Sequence, residues 1–347
     1  WRTDKTITKA VAQIAEASVN SKFTDNDTEI DAVTEAFDLG QYKRNSSLLV
    51  HYHSVRFQGL QPDTLYVYRV GDGSKHWSEW IQFRTAKSTY SPIQFVYFGD
   101  AQNDILNHWS RVIRMAYQTA PNASFAIHAG DLVNIAHRDH EWAEWFKAGG
   151  FLHSQWTAVP AVGNHEFSPV NGGSRKVSIQ WRPQFTLPVE RSLAPELHET
   201  VYTVDYQDVR IIVLNSNENL EQQTKYLEDQ LKNCTARWKI VTCHHSVFSP
   251  AKGRDFKFAR ENWKPLLDKY KVDLVLNGHD HTYARGHVPV RRSNVDTSEL
   301  GTVYVTSVSG PKQYGLDLKQ MQAYKSQGYR SDKTAEQTQF FQVISIE

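Results

Sequence analysis

Two histidines, His279 and His281, lie on either side of Asp280 in the stretch NGHDHTYARG (residues 277–286). The stretch follows VDLVL (residues 272–276), an apolar run that ends at Asn-Gly. Such a run is typical of a buried strand that opens into a loop. Ligands of α/β proteins bind at this end of the strands, and imidazole is a frequent metal ligand, so the stretch indicates a metal site. We expect the two histidines to alternate on a short extended segment.

Four further segments place a potential metal ligand just beyond an apolar run. They contribute Asp100 in VYFGD, Asp131 in IHAGD, Asn164 and His165 in VGNHE, and His244 and His245 in IVTCHH. A Gly-Asp pair alone is usually a turn, and a lone histidine at a strand end is more often hydrogen-bonded than a ligand. Independent turns, however, have no reason to supply only oxygen and imidazole donors at five strand ends. The set predicts two metal ions that share a bridging carboxylate and bind neutral imidazoles.

Apolar strands and amphipathic helices alternate from Ile93 onward, which predicts an α/β layered domain. The predicted strands are residues 93–98, 124–129, 157–162, 209–215, 238–243 and 272–276, followed by 301–310 and 340–346. The predicted helices begin at about Asp104 or cover residues 141–147, 220–231 and 262–270. Each potential ligand lies just past the carboxyl end of one of these strands.

The first 88 residues have a different pattern. Their second half contains alternating segments and turn residues, which predict strands within residues 47–57, 59–73 and 80–86. The polar segment AKSTYSP then separates this region from the α/β pattern. We therefore expect an all-β domain over residues 1–88 and a catalytic α/β domain over residues 89–347.

The composition gives no support to several classes of partner. A formal net charge of +1 provides no basic patch for nucleic acid and no attraction to an anionic membrane. No apolar run approaches the roughly 20 residues of a membrane helix. The chain contains two cysteines, Cys234 and Cys243, which could pair in an exported protein or remain free thiols.

The five motifs together resemble the calcineurin-like metallophosphoesterase superfamily. The N-terminal run Leu-x-Pro-x-Thr-x-Tyr-x-Tyr-Arg-Val, which begins at Leu60, extends the resemblance to purple acid phosphatases over nearly the whole chain. The resemblance implies a four-layer α/β/β/α sandwich preceded by an all-β, fibronectin type III-like sandwich. It also implies that the chain starts inside this N-terminal module, since the family has strands upstream of the segment matched by WRTDKT.

The same resemblance implies a role for each motif residue. Asp100 and His281 would bind the first metal, Asp131 would bridge the two ions, and Asn164, His244 and His279 would bind the second. His165 would be a catalytic residue that binds no metal, and Glu166 would orient it. The choice of His244 rests on counting six residues from Trp238, as in the family's Trp-x-Ile-Val-x-x-His run, and this leaves His245 behind the ligands.

One position departs from the family pattern. Purple acid phosphatases have an iron-binding tyrosine three residues after the bridging aspartate, where this chain has Asn134. A neutral amide is a poor ligand for ferric iron, so we expect a colourless enzyme that uses zinc, manganese or ferrous iron. One of His137, Arg138 and His140 could replace the phenolate, Arg138 could bind a substrate phosphate, or these residues could belong to a solvated loop that leads into a helix. Gln102 could bind substrate or end a turn.

The resulting hypothesis is a phosphatase for phosphorylated small molecules. The two ions would supply hydroxide to attack phosphorus, and His165 would protonate the leaving oxygen. Two alternatives stay open at this point: a phosphodiesterase or nucleotide hydrolase, with specificity in the loops 167–181 and 245–260, and a non-catalytic binding protein of the cell envelope. The resemblance implies a secreted, periplasmic or envelope location, where the N-terminal module packs on the catalytic domain or contacts a partner.

Overall fold

The computed structural model describes residues 1–41, 49–169, 173–292 and 295–347. Its N-terminal part contains seven strands: β1 (Arg2–Asp4), β2 (Val11–Glu16), β3 (Thr28–Asp31), β4 (Val33–Asp38), β5 (Leu49–Ser54), β6 (Leu65–Gly71) and β7 (Ile81–Arg84). They form two antiparallel sheets, ordered β1-β5-β4 and β3-β2-β6-β7. The predicted all-β character of this part is confirmed. Residues 47 and 48 of the predicted strand 47–57 lie outside the described residues, and the fibronectin-like topology and the domain bounds stay predictions.

The remaining strands belong to the α/β part. They are β8 (Ile93–Phe98), β9 (Phe125–His128), β10 (Thr157–Pro160), β11 (Phe167–Pro169), β12 (Arg175–Val177), β13 (Tyr202–Tyr206), β14 (Val209–Val213), β15 (Trp238–Thr242), β16 (Leu274–Asn277), β17 (Tyr283–Arg292), β18 (Val295–Thr306), β19 (Arg330–Ala335) and β20 (Gln342–Ile346). Four strands form a sheet ordered β10-β9-β8-β20, and seven form a sheet ordered β13-β14-β15-β16-β18-β17-β19. Strands β11 and β12 pair as a separate hairpin.

The helices flank these two sheets. They are α1 (Ile105–Thr119), α2 (Asp139–Gly149), α3 (Leu152–Gln155), α4 (Trp181–Gln184), α5 (Leu220–Lys232), α6 (Lys264–Lys269) and α7 (Leu318–Ala323). The helices predicted at 104, 141–147, 220–231 and 262–270 correspond to α1, α2, α5 and α6. A π-helical turn, Ala259–Trp263, precedes α6.

Strand β8 shows why the α/β part has four layers. Phe95 and Tyr97 pack into the core between the two sheets, whereas Val96 and Phe98 pack against α1. Because successive side chains of a strand point to opposite faces, a strand that is apolar at every position must be covered on both sides. Apolar side chains of α5 and α6 cover the outer face of the second sheet in the same way. The predicted α/β/β/α sandwich is therefore confirmed.

Parallel pairing brings the motif-bearing strand ends together. Strands β8, β9 and β10 pair in parallel in one sheet, and β14, β15 and β16 do so in the other. Parallel strands have their carboxyl ends at the same edge, and the sheets pack face to face. The five motifs therefore meet at one edge of the sandwich.

The N-terminal sheets contact the α/β part through polar groups. The Tyr68 hydroxyl donates to the Ser154 carbonyl over 2.8 Å, and Gln184 Nε2 donates to the Tyr52 hydroxyl over 3.0 Å. Both cysteines are free thiols. Among the described residues, no helix has the length and apolar character needed to cross a membrane.

Candidate metal centre

Two groups of potential metal ligands meet at the carboxyl edge of the sheets. The first ligand group is Asp100, Asp131 and His281, and the second is Asp131, His244 and His279. Within each group the ligand atoms lie within 4.8 Å of one another. The two groups share Asp131, which is the arrangement expected for a carboxylate that bridges two ions.

In the first ligand group, the hydrogen bonds leave one nitrogen of His281 and one oxygen of Asp100 available to a metal ion. His281 Nδ1 donates to the Lys312 carbonyl over 3.0 Å, so Nε2 has no proton and can bind a metal. This Nε2 lies 3.4 Å from Asp100 Oδ2. The Asp100 Oδ1 atom accepts the His279 N–H over 2.9 Å, whereas the buried Oδ2 has no hydrogen-bond partner among the described residues. A bound cation would account for a buried acceptor that has no donor.

The second ligand group is oriented in the same manner. His244 Nδ1 donates to the Ala129 carbonyl over 2.8 Å, which leaves Nε2 as the nitrogen that faces the ligand group. This Nε2 lies 3.2 Å from Asp131 Oδ2 and 3.2 Å from Asn164 Oδ1. His279 Nδ1 lies 3.1 Å from the same His244 nitrogen. The structure thus brings Asn164 next to the second ligand group.

Electrostatics at this edge favour bound positive charge. Burial raises the pKa of Asp100 to about 7, although His244 opposes the rise, and burial together with Asp131 raises the pKa of Glu166 to about 8. Burial lowers the pKa of His244, but the carboxylates of Asp131 and Asp100 outweigh this effect and raise it to about 10. The buried carboxylates therefore require positive charge between them, which the protonated His244 ring or a bound cation supplies.

Glycines allow the ligand loops to approach one another. A Cβ atom at Gly163 would collide with the Asp131 carboxylate, and one at Gly278 would collide with the Asp100 carboxylate. These are close approaches that any residue with a side chain would obstruct. The glycines of the Gly-Asn-His-Glu and Gly-His-x-His motifs are thus explained by space beside the ligands.

The backbone of the Gly-His-x-His motif corrects one expectation. His279 and His281 do not alternate on an extended segment, because both have positive φ angles, 72° and 50°. Asp131, which the two ligand groups share, has a φ of 52°. Left-handed backbone at residues other than glycine is uncommon and costs free energy, and such residues concentrate at functional sites. A tight turn, and not a strand, directs the two imidazoles toward the two ligand groups.

The comparisons with known proteins agree with this geometry. A family model described as calcineurin-like phosphoesterase matches residues 93–283, more than half of the chain. The chain belongs to the calcineurin-like phosphoesterase family. A second model, described as the purple acid phosphatase N-terminal domain, matches residues 1–85.

Curated relatives of this phosphoesterase include purple acid phosphatases. It is 29% identical over 332 residues to an uncharacterized protein of Mycobacterium tuberculosis, covering 80% of this chain and 61% of that protein. It is 26% identical over 295 residues to purple acid phosphatase 23 of Arabidopsis thaliana, covering 74% of this chain and 62% of that protein. It is 24% identical over 318 residues to purple acid phosphatase 1 of Ipomoea batatas, covering 82% of this chain and 64% of that protein. The chain thus spans less than two thirds of the length of these relatives.

Solved structures support the fold of the phosphoesterase. Purple acid phosphatase PPD1 from yellow lupin seeds matches with a TM-score of 0.73 and 19% identity, over 97% of this chain and 65% of that one. A structure of PhoD matches with a TM-score of 0.66 and 12% identity, over 97% and 77%. At these identities the likeness shows the shared fold.

His165 lies beside the ligands of this phosphoesterase. Its N–H donates to Asp131 Oδ1 over 2.8 Å, and its ring nitrogen Nδ1 donates to the Asn134 carbonyl over 2.6 Å. Nε2 lies 3.9 Å from Asp131 Oδ2, and the side chain is 25% exposed. The imidazole is therefore held at one nitrogen and accessible to a substrate.

Glu166 does not orient His165 as predicted. Its carboxylate instead accepts the N–H groups of Asp131, Leu132 and Gly163 over 2.9, 2.9 and 2.7 Å. The carboxylate is fully buried and therefore needs hydrogen-bond donors in place of water, and these backbone N–H groups supply them. Glu166 thereby joins the loop after β9 to the loop after β10, and the Asn134 carbonyl takes the role that was expected of Glu166.

The residues after Asp131 have partners of their own. Arg138 Nη1 lies 3.2 Å from Glu141 Oε1, and the other Glu141 oxygen accepts the N–H groups of Asn134 and Ile135 over 2.7 and 2.8 Å. His137 Nδ1 lies 2.8 Å from the Ser168 hydroxyl oxygen. Arg138 is thus paired with a carboxylate, and the structure does not direct it at the ligand groups.

Two other predicted residues lie against the ligands. His245 is packed behind His279, with ring centroids 4.1 Å apart, and its Nδ1 lies 2.8 Å from the Ser216 hydroxyl. Gln102 is buried, and its Nε2 lies 2.9 Å from Asp131 Oδ2. His245 therefore packs against a potential ligand, His279, whereas Gln102 reaches the carboxylate that the two ligand groups share.

Two groups that hold the site in place, Glu141 and the Lys312 carbonyl, were not predicted from the sequence. Glu141 holds the Asn134 loop, and its position in the first turn of α2 was an available signal because acidic residues there lie near free backbone N–H groups. The Lys312 carbonyl, which fixes the proton on His281, had no signal because a carbonyl is common to every residue type.

Proposed function

We propose that this protein hydrolyses phosphate monoesters at a dinuclear metal centre. The observation that carries the proposal is the Asp131 carboxylate, which is shared by two buried ligand groups and lies beside the accessible His165 imidazole. Two ions in such a site bind and polarise phosphoryl oxygens, and they lower the pKa of bound water. A purely structural metal site would not need an exposed histidine outside the ligand set.

The ligands are assigned in this proposal as follows. The first ion would be held by Asp100, Asp131 and His281, and the second by Asp131, Asn164, His244 and His279. The neutral imidazoles and the amide suit zinc, manganese or ferrous iron. The position of the family's tyrosine is taken by Asn134, which removes a phenolate that a ferric ion would require.

His165 moves the proton to the leaving oxygen. The Asn134 carbonyl accepts the Nδ1 proton and fixes the orientation of the ring, so the second proton of the imidazolium is on Nε2. The Asp131 carboxylate lies 3.9 Å from this Nε2 atom. Donation from Nε2 neutralises the alkoxide as the ester bond breaks, a contribution of about 10² to 10⁴ in rate.

Arg254 favours a monoester over a diester. Its Nη1 atom lies 3.2 Å from His279 Nδ1 and also contacts Nε2 of that ring, and its guanidinium lies 5.2 Å from the centroid of Tyr314. Gln320 Nε2 donates to the Arg254 carbonyl over 2.7 Å and so holds this loop. A monoester dianion has one more negative charge than a diester, so a fixed guanidinium beside the ions binds the monoester more strongly.

A pocket beside His165 provides room for the leaving group. It has a volume of about 650 Å³ and is lined by apolar side chains, among them Ile135 and Phe167, and by the polar residues His137 and Arg175. This volume suits a small molecule. Residues 170–172 of the proposed specificity loop 167–181 lie outside the described residues. A location outside the cytosol stays a prediction.

The first test compares a nitrophenyl phosphate monoester with the matching bis-ester, on protein loaded with zinc, manganese or iron. We expect faster hydrolysis of the monoester. A faster diester would assign the protein as a phosphodiesterase, and failure to hydrolyse either ester would favour a non-catalytic binding protein.

Two variants test the assigned roles. Asp131→Asn should lose bound metal and turnover together, because the bridge between the ions is weakened. His165→Ala should retain both ions and lose about 10²- to 10⁴-fold in rate. Unimpaired turnover in His165→Ala, with metal content measured on the same sample, would refute the acid role of His165.

A further inference from the structure

Glu141 is a buried carboxylate that binds the loop after β9. It lies in the first turn of α2, and its side chain is 10% exposed. Its Oε2 atom accepts the N–H groups of Asn134 and Ile135 over 2.7 and 2.8 Å, and its Oε1 atom lies 3.2 Å from Arg138 Nη1. Both carboxylate oxygens are therefore used to hold residues of this loop.

A second residue of α2 holds the other end of the same loop, residues 134–136. Trp142 Nε1 donates to the Ala136 carbonyl over 2.7 Å, and its ring is buried. The Ala136 N–H donates to the His165 carbonyl over 3.4 Å. Because Glu141 and Trp142 are consecutive residues of one helix, the position of the loop beside His165 is set by the first turn of α2.

One peptide unit connects the Glu141 carboxylate to the His165 ring. This unit contains the Asn134 carbonyl and the Ile135 N–H, and a planar trans peptide directs these two groups to opposite sides. On one side the N–H donates to Glu141 Oε2, and on the other the carbonyl accepts the His165 Nδ1 proton over 2.6 Å. Fixing the N–H therefore also fixes the direction of the carbonyl that holds the imidazole.

We propose that Glu141 is a positioning residue for proton donation by His165, an inference that rests on the proposed phosphatase function. Its carboxylate directs the Asn134 carbonyl at Nδ1, and the ring is then turned so that Nε2 faces the leaving oxygen. In this step the Nε2–H bond and the P–O bond break, and an O–H bond forms on the leaving group. Without Glu141 the peptide plane is free to rotate, and the ring loses a fixed acceptor.

Two phosphate monoesters that differ in their need for an acid test this role. The leaving oxygen of phenyl phosphate gains from protonation, whereas that of dinitrophenyl phosphate is stable as an anion. Loss of a positioned acid therefore slows the hydrolysis of phenyl phosphate and spares that of dinitrophenyl phosphate. The values of kcat and KM are measured for both esters on the metal-loaded protein, with the metal content determined on each sample.

Three substitutions separate the reach of the Glu141 side chain from its charge. Glu141→Ala removes the acceptor, Glu141→Asp keeps the charge on a shorter side chain, and Glu141→Gln keeps an acceptor oxygen at the same reach without the charge. We expect Glu141→Ala and Glu141→Asp to lower kcat for phenyl phosphate by about 10- to 100-fold, with KM and the dinitrophenyl phosphate rate little changed. Glu141→Gln should restore most of the phenyl phosphate rate.

A matched control and a double variant complete the test. Glu144→Ala, on the same helix, removes a carboxylate that has no hydrogen bond or ion pair within the described part of the chain, and it should leave both rates unchanged. Glu141→Ala added to His165→Ala should cause no further loss, because the group that Glu141 positions is already absent.

Several results would overturn the proposal. Equal losses for both esters in Glu141→Ala and Glu141→Asp would show that Glu141 only stabilises the fold. A full further loss in the His165→Ala background, or a phenyl phosphate rate kept by Glu141→Asp and lost by Glu141→Gln, would likewise exclude positioning through the peptide unit. A wild-type protein that hydrolyses neither ester would instead overturn the proposed phosphatase function.

Discussion

His153 is a partly buried histidine whose protonation should control stability in acid. Its ring stacks on Trp145, with centroids 3.9 Å apart and planes inclined by 23°, and its Nε2 donates to the Trp145 carbonyl over 3.2 Å. Burial lowers the pKa of His153 to about 4. The ring is therefore neutral in the native protein near neutral pH, whereas an unfolded chain protonates a histidine with a pKa of about 6.5.

The sign of the pH effect follows from this difference. Above pH 6.5 the ring is neutral in both states and stability does not depend on it. As the pH falls from 6.5 to 4, the unfolded state binds the proton and the native state does not, so the free energy of unfolding decreases. The single site removes about 2 kcal/mol by pH 5 and about 3 kcal/mol by pH 4.

The substitution His153→Phe keeps an aromatic ring on Trp145 and removes the titration. Near pH 8 the variant should be less stable by about 1 kcal/mol, because the hydrogen bond to Trp145 is lost. Urea unfolding of both proteins between pH 8 and pH 5, with identical metal loading, measures the difference. The difference in free energy of unfolding between the two proteins should change by about 2 kcal/mol in favour of the variant as the pH falls from 8 to 5. A difference that stays constant over this range would refute the assignment of a neutral His153.

Three further outcomes are expected. Arg254→Gln should lower kcat/KM for the monoester by about 10-fold or more and affect the diester little, since one charge-assisted contact contributes about 1.5 to 3 kcal/mol. The control variant, Lys252→Gln on the same loop, should change kcat/KM for neither ester. An equal loss of kcat/KM for both esters in Arg254→Gln would contradict the charge argument. Glu166→Gln should lower the free energy of unfolding by about 3 kcal/mol, because an NH₂ group then faces backbone N–H donors. An unchanged melting temperature in calorimetry would refute this role of the Glu166 carboxylate. Because Asn134 replaces a phenolate, the isolated protein should lack an intense visible band, and a purple solution would be incompatible with that view.

The strand ends and the potential ligands that follow them were predictable because they depend on local patterns. A run such as VYFGD encodes both the buried strand and the residue that follows it, and parallel pairing then places every such residue at one edge. Asp100, Asp131 and His281 could therefore be expected at the same edge before any distance was measured, and the family resemblance implied their grouping around one metal ion. The four layers were implied by the family resemblance, and strands that are apolar on both faces, such as β8, account for them.

The supporting contacts could not be predicted because they involve groups that every residue has. Glu166 follows His165 directly, yet its carboxylate binds backbone N–H groups of two loops, and the imidazole is held by the Asn134 carbonyl. The turn at His279 was likewise read as extended, since a strand before Asn-Gly gives no sign of two left-handed residues. Sequence patterns specify which side chains are present, whereas these contacts depend on where the loops cross.

The ligands of the proposed centre come from both sheets of the sandwich. Asp100, Asp131 and Asn164 follow strands of the four-stranded sheet, and His244, His279 and His281 follow strands of the seven-stranded sheet. The bound ions would therefore act as a crosslink across the interior seam, and the distance between them would depend on how the two sheets slide past each other. Substitutions deep between the sheets, far from any ligand, could then tune turnover by changing this alignment, and chelation should loosen the seam before the sheets themselves unfold.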